Sequence, residues 1–470
     1  MNILMVASEA TPFAKTGGLA DVLGGLPAAL AAHGENVAVV MPAYRSNVYS
    51  DPPREAFRNL GIPLGRGFSV DINQTVERGV TFYFVHCPPL FDRPGIYGEA
   101  WDYADNHMRF AVLSMAAISV ARYLFQPNII HTHDWQAALV PVYIREHFDI
   151  DPTFGGVKLL FTIHNAGYQG IFGPEILPQI ALDPRLFNPE QLEFYGKVNY
   201  LKGGIAWSHA VSTVSKAYAR EIQTPEYGFG LDGFLHKHAP IYGIVNGVDY
   251  SEWSPEHDPH IARNYSVDDL SGKTHCKRAL IAEFGLPDEA MDRPLIGIVS
   301  RFARQKGFDL IAGIAAALLD EEVSLVVLGS GEVEFEALFH HLAHLHPDNV
   351  AVRTAYDNAL AHRIEAGADM FLMPSRYEPC GLSQIYSLRY GTVPIVRATG
   401  GLDDTIDEET GFKFRDYDGT ALLLAIRSAL AAFQDQDRWV AMMQRGMRKD
   451  FSWSAVAREY LALYRQLLAG

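Results

Sequence analysis

No apolar run in this chain of 470 residues approaches the roughly 18 needed to span a bilayer, so no membrane partner is expected. Cysteine is scarce: Cys87, Cys276 and Cys380 are an odd, widely spread set that implies no disulfide framework. The opening MNILMVASEATPF lacks the basic start and long apolar stretch of a signal peptide, and the Arg/Ser-rich character of a transit peptide. These absences together predict a soluble cytoplasmic protein. Positive charge is in short supply, with 39 Lys and Arg against 55 Asp and Glu and a formal charge of −16. A nucleic-acid partner, whose affinity would come largely from phosphate neutralisation, is therefore not expected. A small anionic ligand remains compatible if a few local cations hold it. There is no low-complexity stretch and no long internal repeat.

What the chain has is apolar content, 48% hydrophobic residues, enough for two cores. Its length is too great for one ordinary core and comfortable for two α/β domains. Strand-like runs at Ile3–Ala7, Val37–Met41, Phe82–Val85, Ile129–His131, Leu159–Ile163 and Ala210–Val214 alternate with helical patterns such as Leu19–His33 and Asn106–Tyr123. That alternation reads as a parallel, doubly wound sheet. The same grammar restarts at Leu295–Ser300, Ser324–Leu328, Val350–Val352, Met370–Met373 and Val393–Val396. The reading is an N-terminal domain over 1–240 and a second Rossmann-like domain over 241–453, with the boundary near Pro240. The last helix, 454–470, crosses back to the first domain. Ligands of such sheets bind beyond the carboxyl ends of the strands, so the residues just after each strand matter most.

A glycine pair follows a strand in each half: KTGGLAD at Lys15–Asp21 and TGGLDD at Thr399–Asp404. Paired glycines before a helix let backbone N–H groups approach an anion, although one copy alone could be only a turn. Two copies suggest a glycine-rich lip on each side of a cleft. Arg301 and Lys306, in SRFARQKGFD, follow the first strand of the second half. They are either solvated loop cations or a pair converging on a diphosphate, with Lys15 as a third cation opposite. Glu378, in EPCGL, either starts a helix or accepts hydrogen bonds from sugar hydroxyls, and the turn after it offers N–H groups to phosphate. Cys380 has no histidine beside it in sequence and reads as a small, partly buried thiol. His131-Thr132-His133-Asp134-Trp135 and His164-Asn165 follow two further strands; their spacing does not match a zinc centre, and a polar sugar pocket with an aromatic wall fits better. His340, His341, His344 and His346 read as a solvated helical face. Asp149/Asp151 and Asp435/Asp437 spell DxD strings but follow no buried strand, so no metal or other cofactor is expected.

Together these residues resemble the bacterial glycogen synthases, in the ADP-glucose-using glycogen/starch synthase family of retaining glycosyltransferases. KTGGLAD, HTHDWQAA, FTIHNAGYQG, NGVD, SRFARQKG, PSRYEPCGL and RATGGLDDT occur in the family's order, and the likeness covers essentially the whole chain. It implies a GT-B architecture, two Rossmann-like domains facing a deep cleft. It also implies transfer of glucose from ADP-glucose to the non-reducing end of an α-1,4-glucan, such as a glycogen primer, with retention at the anomeric carbon. By the same resemblance Lys15 contacts the donor phosphates, Gly18 lies beside the glucose, and Asp21 is carried over with them. Arg301 and Lys306 stabilise the departing diphosphate, and Glu378 holds glucose hydroxyls. The turn through Cys380, Gly381 and Leu382 receives phosphate. His164 sits beside the reacting carbon, with Asn165 and Asp134 close to the sugar. Asn246, of NGVD, joins the substrate-binding set, and Tyr356 matches an aromatic that stacks on adenine.

Loss of ADP leaves negative charge on the diphosphate and cationic character on the sugar, and preorganised cations lower that barrier. Retention proceeds either by a front-face route or through a covalent intermediate. No carboxylate in these motifs is an evident nucleophile, which favours the front-face route. One departure stands out: related transferases often place a second Glu eight positions after the first, and here that position is Tyr386. GGLAD where plant enzymes have GGLGD favours the bacterial form. The rival readings are a UDP-glucose enzyme of the same architecture and a glucan-binding protein without activity. Retention of Lys15, Arg301, Lys306 and Glu378 argues against the second.

Overall fold

Strands buried on both faces need continuous apolar runs, and those runs supply the centres of two sheets. The computed structural model describes residues 1–65 and 67–470, and its internal contacts divide the chain into two compact units, Met1–Gly247 with Trp453–Gly470, and Val248–Ser452. In the first unit, β1 (Asn2–Val6), β2 (Asn36–Pro42), β3 (Arg54–Ile62), β4 (Phe68–Glu77), β5 (Val80–His86), β6 (Ile129–His133) and β7 (Lys158–Ile163) share one sheet. A small separate sheet follows, made of β8 (Ile171–Phe172), β9 (Glu193–Phe194) and β10 (Lys197–Asn199). The main sheet then resumes with β11 (Ala210–Thr213) and β12 (Ile241–Gly243), in the order β12-β11-β7-β6-β1-β2-β5-β4-β3. Its pairings are parallel except at one edge, where the hairpin β3–β4 runs antiparallel on β5. The chain winds from β1 first to one side and then, at β6, to the other, so the order reverses between β1 and β6.

The second unit repeats the scheme with parallel pairing throughout. Its strands are β13 (Leu295–Val299), β14 (Ser324–Gly329), β15 (Val350–Thr354), β16 (Met370–Met373), β17 (Val393–Arg397) and β18 (Phe412–Phe414), in the order β15-β14-β13-β16-β17-β18. Here the order reverses between β13 and β16. Helices cover the sheet, and Phe302, Phe308 and Phe339 pack as a ring cluster in its core.

Two expectations need correction. β12 lies beyond Pro240 and pairs with β11 in parallel, so the first unit continues to Gly247. The final helix, Trp453–Ala469, belongs to that same unit. The second correction concerns apolar length. The helix Asn106–Val120 runs on through a π-turn at Ala121–Phe125, and the combined 20 residues, mean hydropathy 1.4, are long and apolar enough to cross a membrane by length and composition. That helix is apolar all round because it is packed on all sides, with 67% of the apolar window buried inside the unit. Its buried Arg109 is held by the carbonyls of Leu90 and Ile96 and by Asn106 Oδ1. These polar interruptions hide the apolar run from a residue-by-residue reading.

Candidate functional site

In the first unit the loops after β1, β6 and β7 emerge side by side, because those strands are neighbours. Glu9, buried just after β1, organises the first glycine pair. Its carboxylate accepts from the Thr16 N–H, from Thr16 Oγ1 at 2.7 Å and from the Gly17 N–H at 3.3 Å, and the Tyr97 hydroxyl donates to it from another loop. Gly17 is extended and Gly18 opens the helix Gly18–Ala32, whose first N–H groups have no helical acceptor. A Cβ on either glycine would meet nothing within 4 Å. The pair therefore leaves open backbone rather than serving internal packing. Lys15 Nζ lies 2.7 Å from Asp21 Oδ1, with the lysine 42% exposed.

His131 and His133, at the end of β6, are fully buried. His131 is bonded at both nitrogens, to Tyr464 OH at 2.7 Å and Thr162 Oγ1 at 2.6 Å. His133 Nδ1 lies 3.0 Å from His164 Nε2. Burial holds all three imidazoles neutral: His131 and His133 fall well below the usual range, and His164 to about 3. Asp134 Oδ1 accepts the His164 N–H at 2.7 Å, and Asn165 Oδ1 accepts the Gly167 N–H at 2.9 Å.

Asp134 adopts φ +57°, a left-handed conformation that Asp and Asn tolerate best. Burial pushes its carboxyl up to about 7, the backbone N–H groups of His164 and Asn165 pull it back, and the charge of Glu9 pushes it further up. A carboxyl whose folded pKa is raised contributes stability below its unfolded value and loses it as pH rises through about 7. Asp134→Asn keeps the backbone and the acceptor but never ionises. It is expected to raise the melting temperature by roughly 2–8 °C at pH 8 and by less at pH 5. Thermal melts at the two pH values check this; an equal shift at both would refute it.

In the second unit the loops after β13 and β16 meet at the reversal of strand order. Lys306 ends a short 3-10 turn, Arg304–Lys306, and its Nζ lies 2.6 Å from Glu378 Oε2, with side chains 21% and 8% exposed. Ser375 Oγ donates to the same oxygen at 3.1 Å. Arg301, on the same loop as Lys306, is exposed, and its guanidinium has no hydrogen bond or ion pair among the described residues. Cys380 is buried, Gly381 takes φ +73°, and Leu382 precedes the helix Ser383–Arg389; Gln384 Nε2 bonds the carbonyls of Cys380 and Gly381, at 3.1 Å each. The second glycine pair lies behind this loop: the Gly401 N–H donates to the carbonyls of Glu378 and Pro379 at 3.1 Å.

The other candidates are dispersed. Tyr356 follows β15 and is 85% exposed; Asn246 follows β12 in the first unit and is buried. Tyr386, eight positions after Glu378, stacks flat on Trp253 at 3.9 Å between centroids. Asp151 pairs with Arg122, Asp149 with Arg145, Asp435 caps the helix Gln436–Met447, and the four helical-face histidines are exposed. Among the described residues no group of three His, Cys, Asp or Glu is placed to hold a metal ion. Sequence reasoning missed Glu9 and Tyr97. Glu9 stands just after β1, where the strand-end rule applied to every residue would have found it.

A family model described as the starch synthase catalytic domain matches residues 2–237, and one described as glycosyl transferases group 1 matches residues 284–443. Glycogen synthase of Koribacter versatilis (strain Ellin345) is 52% identical over 477 residues, covering 99% of this chain and 98% of the relative. Glycogen synthase of Myxococcus xanthus (strain DK1622) is 47% identical over 479 residues, covering all of both. The catalytic domain of starch synthase IV from Arabidopsis thaliana, solved bound to ADP and acarbose, superposes with a TM-score of 0.88 at 32% identity, covering 100% of this chain and 99% of that one. Sucrose-phosphate synthase from Thermosynechococcus elongatus shares the fold, with a TM-score of 0.63 at 21% identity over 99% of each chain. Two units with strand order reversing at β1/β6 and at β13/β16 are the GT-B arrangement of such enzymes. By sequence over its whole length and by fold, this chain belongs to the glycogen and starch synthase family of glycosyltransferases.

Proposed function

We propose that the protein transfers glucose from ADP-glucose to the non-reducing end of an α-1,4-glucan such as glycogen, with retention at the anomeric carbon, and that it does so in the cytoplasm. The observation that carries this reading is the Lys306–Glu378 pair at the strand reversal of the second unit, on a loop that also carries Arg301, whose guanidinium has no partner among the described residues. A diphosphate leaving group calls for preorganised cations, and a sugar calls for a carboxylate acceptor; both groups stand on adjacent loops. Arg301 and Lys306 take the diphosphate, Glu378 takes glucose hydroxyls, and the turn through Cys380, Gly381 and Leu382 adds N–H donors. From the first unit, Lys15 and the open backbone of Gly17 and Gly18 address the phosphates and glucose, with Asp21 orienting Lys15. His164, Asn165 and Asp134 address the sugar, and Asn246 joins the substrate-binding set. Tyr356 offers an exposed ring to the base. No carboxylate in this set is an evident nucleophile, and Asp134 is already engaged by the His164 backbone N–H. This favours the front-face route, in which the departing phosphate takes the proton of the acceptor hydroxyl.

An exposed tyrosine stacks on adenine and uracil alike, so the donor is the point to test. Labelled ADP-glucose or UDP-glucose is supplied with glycogen primer and EDTA, and label in polymer is counted. Incorporation from ADP-glucose is expected without added metal. Incorporation from UDP-glucose alone would overturn the donor assignment.

A further inference from the structure

Two imidazoles at the ends of neighbouring strands share one hydrogen bond, His133 Nδ1 to His164 Nε2. Both are held neutral by burial, so each ring carries one N–H and one lone pair; one donates and the other accepts. The two outer nitrogens differ. His133 Nε2 is buried with no partner among the described residues. His164 is partly exposed, and its Nδ1 has no partner among the described residues. An orphaned buried N–H is rarer in proteins than an unfilled acceptor. His133 therefore carries its hydrogen on Nδ1 and leaves Nε2 as a bare lone pair. His164 Nε2 is then the acceptor, which forces the hydrogen of that ring onto Nδ1.

The surroundings fix this pair in place. The His131 ring packs against His133 with centroids 4.0 Å apart. His131 is itself clamped between Tyr464 and Thr162, and Thr162 Oγ1 meets Ser212 Oγ at 2.6 Å. The His164 backbone is tied to Asp134.

We propose that His133 is a positioning residue that sets the tautomer of His164, so that His164 presents Nδ1–H as a hydrogen-bond donor to an oxygen of the bound sugar. His164 is then a neutral donor and not a general base. The sugar as partner rests on the function proposed above; the tautomer does not.

The test uses the full-length protein labelled with ¹⁵N-histidine, with the His164 signals assigned by their loss in His164→Gln. The expected wild-type spectrum has His164 protonated at Nδ1 and bare at Nε2. In His133→Asn the side-chain amide stands near the former Nδ1 and donates the same bond, so the spectrum is kept. In His133→Leu the volume is filled without a donor, and the Nε2–H form appears. Kinetically, His133→Leu is expected to lower kcat by roughly 10–100-fold with the inhibition constant for ADP unchanged, and His133→Asn to recover to within about 3-fold of wild type. A wild-type His164 protonated at Nε2 overturns the proposal, and so does a His133→Leu variant with unaltered spectrum and kcat. If His133→Leu does not fold, the wild-type spectrum alone decides. If the wild type transfers no glucose, the functional reading falls while the spectrum still decides the tautomer.

Discussion

Lys306→Ala is expected to lower kcat/KM for glucosyl transfer by about 10²–10³-fold, and Glu378→Ala to lose a comparable amount. The two side chains are each other's main partner, at 2.6 Å, and neither is well solvated. On the function proposed above, the pair would open its charge to the substrate: the ammonium to the developing diphosphate, the carboxylate to hydroxyls. Removing the lysine also strands the Glu378 carboxylate in a poorly solvated place where, among the described residues, only Ser375 Oγ donates to its Oε2. A stability loss of about 1–3 kcal/mol should accompany the kinetic one. Lys306→Arg is not a conservative rescue, because a planar fork replaces a point charge on a short turn. Steady-state kinetics on variants shown by circular dichroism to be folded separate the two effects. Near-normal rates in both alanine variants would sink the assignment of these residues to the reaction.

Much of this architecture is legible in the sequence for one physical reason. β1, β2, β6, β7 and β11, and then β13, β14, β16 and β17, are central parallel strands, so their apolar runs are unbroken and the loops after them stand out. Elements that escaped lack that signature. β3 is mostly exposed and shifts register twice against β4, and β12 and β18 are three-residue edges. The helical pattern at 106–123 is legible, but its membrane-crossing length is not, because Asn106, His107, Arg109 and Ser114 interrupt the apolar run. Arg109 and Ser114 are nonetheless buried, with Arg109 donating to the carbonyls of Leu90 and Ile96 and Ser114 to that of Phe110. The candidate residues are legible where one loop contains them, as with Arg301 and Lys306. Contacts that depend on strand adjacency are not. The His133–His164 bond requires β6 beside β7, and Lys306–Glu378 requires β13 beside β16. Glu9 is a single acidic residue in an unremarked loop, and its three acceptor contacts to Thr16 and Gly17 exist only once that loop folds back.

The two glycine pairs, alike in sequence, should answer substitution oppositely. Gly400→Ala is expected to be strongly destabilising. Gly400 sits at φ +46°, which costs a side chain about 1–2 kcal/mol. A Cβ there would also collide with the carbonyl oxygen of Glu378, and one on Gly401 with that of Cys380, both rigid backbone atoms. The clash can be relieved only by moving the Glu378–Cys380 loop, so stability and catalysis fall together. A loss of about 3 kcal/mol or more is expected, lowering the melting temperature of the second unit by roughly 6–12 °C. Gly17→Ala has neither penalty: its φ of −158° is ordinary extended backbone, and nothing lies within 4 Å of the added Cβ. It should melt within about 2 °C of wild type, while, on the function proposed above, the KM for ADP-glucose rises because the methyl group occupies space assigned there to the donor. Calorimetry and steady-state kinetics on the two variants decide the matter. A Gly400→Ala protein that melts like wild type would show that the second pair is not a packing device. An unchanged KM in Gly17→Ala would remove the first pair from the donor site.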